Sequence, residues 1–200
     1  MQLIVVTSGH ERVDEVELLR ELAAAGMRRL LVSKPSWSTN RVRFLLQSIP
    51  KEMLAHVTLD GHHGIAEEID VGGIALSDRA SAKERAEFLR IRRARPTVEA
   101  CGRFHSLAEL DRQADTFTEA WVSPVFGSIS KAGYRPAFEA EAVGKALEKL
   151  RIPAVALGGV RADRVAELAK LGFTSVAASG AIWGAADPVD AFKTLREACR

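Results

Sequence analysis

Eight short apolar runs recur along the chain, and most of them are rich in β-branched residues. They are LIVVT (3–7), LLVS (30–33), HVTLD (56–60), GIALS (73–77), TVEACG (97–102), AWVSP (120–124), PAVALGG (153–159) and TSVAASG (174–180). Near-continuous apolar runs, unlike strictly alternating ones, are typical of strands that are covered on both faces, as in parallel sheets. The runs therefore predict eight parallel strands in an α/β protein.

Segments with helical spacing of apolar residues lie between the runs, for example at 13–23, 138–150 and 163–171. Eight strands that alternate with helices or short connections predict a compact (β/α)8 TIM barrel. The chain of 200 residues is at the lower limit for this fold, so we expect a single domain, 1–200, with a very short connection at 61–70. A doubly wound open sheet is the alternative. It favours a glycine-rich loop after the first strand, where VTSGHE has one glycine.

Composition and charge exclude several classes of protein. Hydrophobic residues at 47% and charged residues at 27% are typical of a globular protein. The net charge of +2 gives no reason to expect nucleic acid as a partner, and no run reaches the ~18 apolar residues that a membrane span needs. Two distant cysteines and the lack of a signal-peptide pattern favour a cytoplasmic protein. The sequence leaves open whether the chain forms a homo-oligomer.

Small residues follow the last two predicted strands. Gly158 and Gly159 end strand seven, and Ser179 and Gly180 end strand eight. Functional groups of a TIM barrel lie on the loops that follow the strands, and the loops after strands seven and eight frequently bind phosphate. Backbone N–H groups beside small residues can approach an anion closely. We therefore predict a phosphate site here, and glycines needed only for tight turns are the alternative.

Single polar side chains follow three other strands at the same rim. His105 comes after strand five, where it could exchange a proton near neutral pH or serve only in packing. Ser106 is expected to cap the helix that follows, with Glu109 completing a capping box. Lys34 follows strand two and is either a ligand contact or a solvated side chain. Asp60 ends strand three as a helix cap or a metal ligand.

The segment SPVFGSISKAGY, which follows strand six, has more polar residues than a short turn requires. It presents Ser128, Ser130 and Lys131 between Gly127 and Gly133. The two glycines would allow the segment to close as a lid over a ligand, and an ordinary mobile loop is the alternative.

Four segments, taken in order, resemble the thiamine phosphate synthase and TenI superfamily. LLVSKPSWS falls where that superfamily has an LRxK or LRKP element, and CGRFHSLAEL is similar to its S-x-HS-x-EE element. AWVSPVFGSISKAGY resembles its P-[IV]-F-x-[ST]-x-[ST]-K-x-G element. The fourth segment is a pair: PAVALGGV resembles PV-x-A-x-GGI, and VAASGAIWG resembles V-x-S-AI. Together the segments span strands two to eight, which is most of the chain.

The resemblance implies a TIM barrel that binds a thiazole phosphate, with the phosphate held by the backbone near Gly158, Gly159, Ser179 and Gly180. Thiamine phosphate synthases join a hydroxymethylpyrimidine diphosphate to thiazole phosphate and release pyrophosphate with Mg²⁺. TenI-type proteins are thiazole tautomerases that use a His as acid and base and require no cofactor. That His matches His105 of this chain.

The resemblance also implies roles for four cationic and hydroxyl side chains. Ser128, Ser130 and Lys131 would face the carboxylate or the ring of the ligand, and Lys34 would face it from across the rim.

The features of a synthase are incomplete in this sequence. The strand-two element has Val32 in place of an Arg, so that Lys34 is the cation that remains. The Asn-Asp pair after strand three becomes Leu59-Asp60, which keeps one Mg²⁺ ligand. The strand-four element reads ALSDRA, so the second metal carboxylate is missing or displaced to Asp78. A diphosphate leaving group with bound Mg²⁺ is poorly stabilised without these groups.

We therefore expect an enzyme of thiamine biosynthesis, specifically a TenI-like thiazole tautomerase. A divergent thiamine phosphate synthase that uses Mg²⁺ at Asp60 is the first alternative. A non-enzymatic ligand-binding or regulatory protein is the second.

Overall fold

The computed structural model describes residues 1–126 and 138–200 of the chain. Its eight parallel strands form a closed barrel, in which each strand pairs with the next along the chain and β8 pairs with β1. The strands are β1 (Gln2–Val6), β2 (Leu30–Ser33), β3 (Val57–Asp60), β4 (Gly73–Ser77), β5 (Glu99–Phe104), β6 (Glu119–Val122), β7 (Ala154–Leu157) and β8 (Ser175–Ala178). The predicted (β/α)8 barrel is confirmed, and the open sheet is excluded.

Helices connect the strands on the outside of the barrel. The α-helices are α1 (Glu15–Ala24), α2 (Thr39–Ser48), α3 (Lys51–Leu54), α4 (Ala82–Ala94), α5 (Leu107–Gln113), α6 (Ala140–Glu148), α7 (Val165–Lys170), α8 (Gly180–Trp183) and α9 (Pro188–Ala198). The connection after β3 contains only a 3₁₀ helix, His63–Glu67, as the short segment predicted. Within the described residues, no helix is sufficiently long and apolar to cross a membrane.

The start of α5 differs from the prediction. Ser106 occupies the N-cap position, but its side chain makes no capping hydrogen bond. Glu109, which was expected to complete a capping box, instead accepts hydrogen bonds from Arg112 and Gln113. The expected capping box at Ser106 is therefore wrong, because the carboxylate of Glu109 is engaged further along the helix.

Two apolar layers hold the barrel together, one inside it and one between the strands and the helices. The inner layer is small and contains Ile4, Val6, Leu31, Ala75, Cys101, Trp121, Val155 and Ala177. Because side chains of a strand alternate between its two faces, residues two positions beyond these also point inward. Ser33, Ser77 and Arg103 are therefore directed toward the barrel axis at the carboxyl ends of β2, β4 and β5.

The opposite, amino-terminal end of the barrel is filled by a buried ion pair. Arg29 donates from Nη1 and Nη2 to the two carboxylate oxygens of Glu119, at 2.8 and 2.7 Å. Trp121 Nε1 donates to the same carboxylate at 2.7 Å. Burial raises the pKa of the neighbouring Cys101 thiol, and the charge of Glu119 adds to that effect. The carboxylate of Glu119 is therefore satisfied by donors of the protein itself.

Candidate functional site

The loops after β4 and β5 bring Asp78 and His105 into contact. His105 Nδ1 lies 2.7 Å from Asp78 Oδ1, and the backbone N–H of His105 donates to Asp78 Oδ2 at 2.7 Å. The two loops are neighbours because β4 and β5 pair in register, with Ser77 opposite Arg103. One carboxylate therefore holds His105 at two points, its backbone N–H and Nδ1 of its ring.

The ionisation of Asp78 determines which nitrogen of the His105 ring carries the proton. Burial alone would raise the pKa of Asp78, but the hydrogen bonds from the backbone and ring of His105 outweigh it, so the pKa lies below its usual value. An ionised carboxylate only accepts hydrogen bonds, so the proton of the ring lies on Nδ1. Nε2 is then the nitrogen that can accept a proton from a ligand.

A pocket of about 470 Å³ lies beside this pair, between α5 and the first turn of α4. Its other lining residues are Arg79, Arg85, Ser106, Glu109, Arg112 and Gln113. Three arginines make one side of the pocket cationic, although Arg112 is paired with Glu109. A small anionic ligand could therefore reach the imidazole of His105.

Asp60, which the sequence suggested as a metal ligand, is paired with a cation of the protein. Arg103 Nη1 donates to Asp60 Oδ2, and Ser33 Oγ donates to the same oxygen at 2.6 Å. Arg103 was one of several polar residues in the strand-five segment and was not singled out. The alternation of β5, with Cys101 inside the barrel, was the signal that could have identified it as an inward-facing group.

The residues that the structure describes do not fit a Mg²⁺ ion. Within residues 1–126 and 138–200, no group of three or more His, Cys, Asp and Glu side chains could hold a metal ion. Asp60 is bonded to Arg103, and Asp78, the candidate for a displaced second ligand, is bonded to His105. Mg²⁺ requires near-octahedral oxygen ligands, usually with one or two free carboxylates.

Lys34 lies in the interior on the other side of the rim. Its Nζ donates to Glu15 Oε2 at 2.6 Å and to the carbonyl oxygen of Ser8 at 2.8 Å, and the residue is 4% exposed. The ring of Trp37 packs against the ammonium at 4.5 Å. These contacts neutralise the charge of Lys34 within the protein. Its contact with a ligand stays a prediction.

The predicted phosphate residues occupy adjacent strand ends. Gly158 and Gly159 have φ values of 96° and 68°, in the left-handed region that favours glycine. A Cβ on Gly158 would lie 2.7 Å from Pro124, so close packing is one reason for this glycine. Ser179 precedes α8 and donates from Oγ to the carbonyl oxygen of Thr7 at 3.2 Å. Gly180 is the first residue of α8, and phosphate binding by these residues stays a prediction.

The remaining predicted ligand contacts, Ser128, Ser130 and Lys131, lie in segment 127–137, which is outside the described residues.

Comparison with known proteins supports the resemblance over almost the whole chain. The thiamine-phosphate synthase of Pyrococcus furiosus is 25% identical over 98% of this chain and 94% of that enzyme. The thiamine-phosphate synthase of Salinispora tropica is 38% identical, over 44% of this chain and 46% of that enzyme. This second match therefore spans less than half of the relative.

A solved structure described as a thiamine phosphate pyrophosphorylase from Pyrococcus furiosus has the same fold. It superposes with a TM-score of 0.80 at 21% identity, over 99% of this chain and 95% of that chain. The family model for thiamine monophosphate synthase, TMP-TENI, matches residues 3–182. The chain therefore belongs to the thiamine monophosphate synthase family.

Proposed function

We propose that the chain is a TenI-like thiazole tautomerase that acts on a carboxythiazole phosphate. Family membership supports a role in thiamine biosynthesis with a small phosphorylated substrate. The observation that carries the finer assignment is the contact between Asp78 and His105, which fixes the ring by Nδ1 and leaves Nε2 for the ligand.

The reaction requires only a proton transfer within the substrate. Nε2 of His105 accepts a proton from one position of the thiazole ring, and the resulting imidazolium returns it at a second position. Substrate and product contain the same atoms, so the step consumes no oxidant, reductant or water. Asp78 stabilises the imidazolium while it exists, because its ionised carboxylate accepts the hydrogen bond from Nδ1.

The other predicted residues would bind the two anionic groups of the substrate. In this proposal the backbone at Gly158, Gly159, Ser179 and Gly180 holds the phosphate. The adjacency of β7 and β8, which brings the two loops to one part of the rim, supports this assignment of the phosphate site.

The ring and the carboxylate are assigned to the remaining predicted contacts, Ser128, Ser130 and Lys131, with Lys34 across the rim. No metal takes part in this reaction.

A divergent thiamine phosphate synthase is the second candidate, and the names of the curated relatives favour it. That reaction would need Mg²⁺ to stabilise a diphosphate leaving group. Asp60 would have to exchange its contact with Arg103 for the metal. The tautomerase is preferred because its proton transfer needs only His105 and Asp78, which are already in contact.

Turnover of the carboxythiazole phosphate tautomer by the purified protein tests the proposal. We expect His105→Ala to lose about 10²–10⁴-fold in kcat, the usual contribution of a positioned acid–base group. His56→Ala, which removes an exposed histidine at the amino-terminal end of the barrel, is the matched control and should retain full activity. Unchanged turnover in His105→Ala would eliminate the proposed mechanism.

The same preparation distinguishes the other two functions. Mg²⁺-dependent formation of thiamine phosphate from the two precursors would identify a synthase. Saturable binding of the thiazole phosphate without turnover in either assay would indicate a ligand-binding or regulatory protein.

A further inference from the structure

We propose that Arg103 is a resident cation that occupies the metal position of Asp60, so that the barrel binds its anionic ligand without a divalent ion. The proposal rests on the contacts of Arg103, Asp60 and Ser33. It does not depend on which reaction His105 performs.

The geometry of the strands requires a long side chain at position 103. Asp60 on β3 pairs in register with Ala75 on β4, and Ala75 pairs with Cys101 on β5, two residues before Arg103. Neighbouring strands are ~4.8 Å apart, so the two side chains meet across about 10 Å of sheet. The small side chain of Ala75 leaves space below the contact. An Arg can span this gap, whereas a short polar residue at position 103 would leave Asp60 with its bond from Ser33 but without a cation.

The sequence motif sharpens the same point. When His105-Ser106 is aligned with the HS of the S-x-HS-x-EE element, Arg103 falls at the position of the first Ser. The change replaces a neutral hydroxyl by a permanent positive charge. A charge of that sign beside Asp60 repels a divalent cation and satisfies the carboxylate that would otherwise attract one.

The guanidinium keeps donor capacity beyond its contact with Asp60. Arg103 Nε is buried and, within residues 1–126 and 138–200, has no hydrogen-bond partner. A guanidinium has five N–H donors in a planar fork that suits carboxylate and phosphate groups. The side chain of Arg103 is 19% exposed, so the part of the guanidinium that is not bonded to Asp60 can donate to an anionic group of the ligand. Arg103 therefore both excludes a metal and binds the anion, which makes it a specificity-determining residue.

Binding of Mn²⁺ alone, followed by the electron paramagnetic resonance of the free ion, tests the inference without substrate. The wild-type protein should bind no Mn²⁺ through Asp60. Arg103→Ser should bind one Mn²⁺ per chain at least ten-fold more tightly than the wild type. Asp60→Asn added to Arg103→Ser should abolish that gain. Arg28→Ser, which removes an exposed arginine before β2 at the amino-terminal end of the barrel, is the matched control and should behave as the wild type.

Two further variants separate loss of charge from loss of fold. Arg103→Lys retains the positive charge and should still exclude Mn²⁺. Arg103→Gln retains most of the side-chain volume without the charge and should admit the ion even if Arg103→Ser unfolds.

An Asp60-dependent Mn²⁺ site in the wild-type protein would overturn the inference. So would equal Mn²⁺ binding by the folded neutral variants and the Arg28→Ser control. Because substrate is absent, these outcomes are independent of whether the tautomerase assay succeeds.

Discussion

Each end of the barrel contains an arginine paired with a carboxylate, and the two pairs differ in how completely they are satisfied. At the amino-terminal end, Arg29 engages both oxygens of Glu119, and Trp121 adds a third donor. At the carboxyl-terminal end, the hydrogen bonds that side chains of the described residues donate to Asp60 are both to Oδ2. Both pairs are largely buried, with side chains 13% and 10% exposed at the first and 19% and 14% at the second.

The difference between the pairs separates a structural role from a binding role. Burial by itself would lower the pKa of Arg29, but the bonds to Glu119 outweigh it and raise the pKa, so the pair stays charged. Both carboxylate oxygens of Glu119 and both terminal nitrogens of Arg29 are used within the protein. Arg103 retains a buried Nε without a partner in the described part of the chain. An incomplete pair at the functional rim can take up a ligand, whereas a complete pair cannot.

The largest effect should follow from breaking the amino-terminal pair. Arg29→Met leaves the buried carboxylate of Glu119 without its cation, so we expect a loss of about 3–5 kcal/mol in the free energy of unfolding. Urea denaturation measures this loss. Arg29→Met with Glu119→Gln removes both charges and should recover most of the stability. Equal stability of the single and double variants would contradict the structural role.

The sequence was sufficient for the fold because every strand is covered on both sides. Runs such as LIVVT and LLVS stay apolar without alternation for that reason, and β1 and β2 end within one residue of the predicted ends. The same property made the inner and outer faces hard to distinguish. The strand-end residues could therefore be predicted as a group, but not their partners.

Pairs that depend on barrel closure could not be predicted from local sequence. Arg103 and Asp60 are separated by 43 residues and meet only because β3, β4 and β5 lie side by side. Lys34 was predicted to face a ligand or solvent, and both predictions overlooked Glu15. The carboxylate of Glu15, the first residue of α1, is buried against Lys34.

The second-largest effect concerns the contact between Asp78 and His105 at the functional rim. As in the amino-terminal pair, both oxygens of one carboxylate are engaged. Asp78→Asn should lower kcat about 10²-fold, equivalent to ~2.7 kcal/mol, because the neutral amide no longer stabilises the imidazolium of His105. KM should change little, since Asp78 acts through His105 rather than on the substrate. Steady-state kinetics separates the two constants. A rise in KM with unchanged kcat would show that Asp78 serves only to shape the pocket.

Breaking the carboxyl-terminal pair should cost less stability than breaking the amino-terminal pair. Arg103→Ser should lower the free energy of unfolding by about 1–2 kcal/mol, because one bond is lost and Ser33 still donates to Asp60. Urea denaturation under the conditions used for Arg29→Met gives a direct comparison. Arg28→Ser is the surface control and should stay within about 0.5 kcal/mol of the wild type. A loss as large as that of Arg29→Met would erase the distinction between the two ends.

The smallest effect is a dependence of stability on pH that arises at the functional rim. The pKa of Asp78 is lower in the folded protein than its usual value of 3.8. A carboxyl with a depressed folded pKa adds stability above its unfolded pKa, and this contribution is lost as the pH falls through the folded pKa. The stability difference between the wild type and Asp78→Asn should therefore shrink as the pH falls below about 4. Urea denaturation across this range measures it, and a difference that stayed constant in acid would mean that folding leaves the pKa of Asp78 unchanged.

Arg29→Met is the corresponding test at the amino-terminal end. The guanidinium that it removes stays charged throughout this range, so the pH dependence assigned to Asp78 should be retained in that variant.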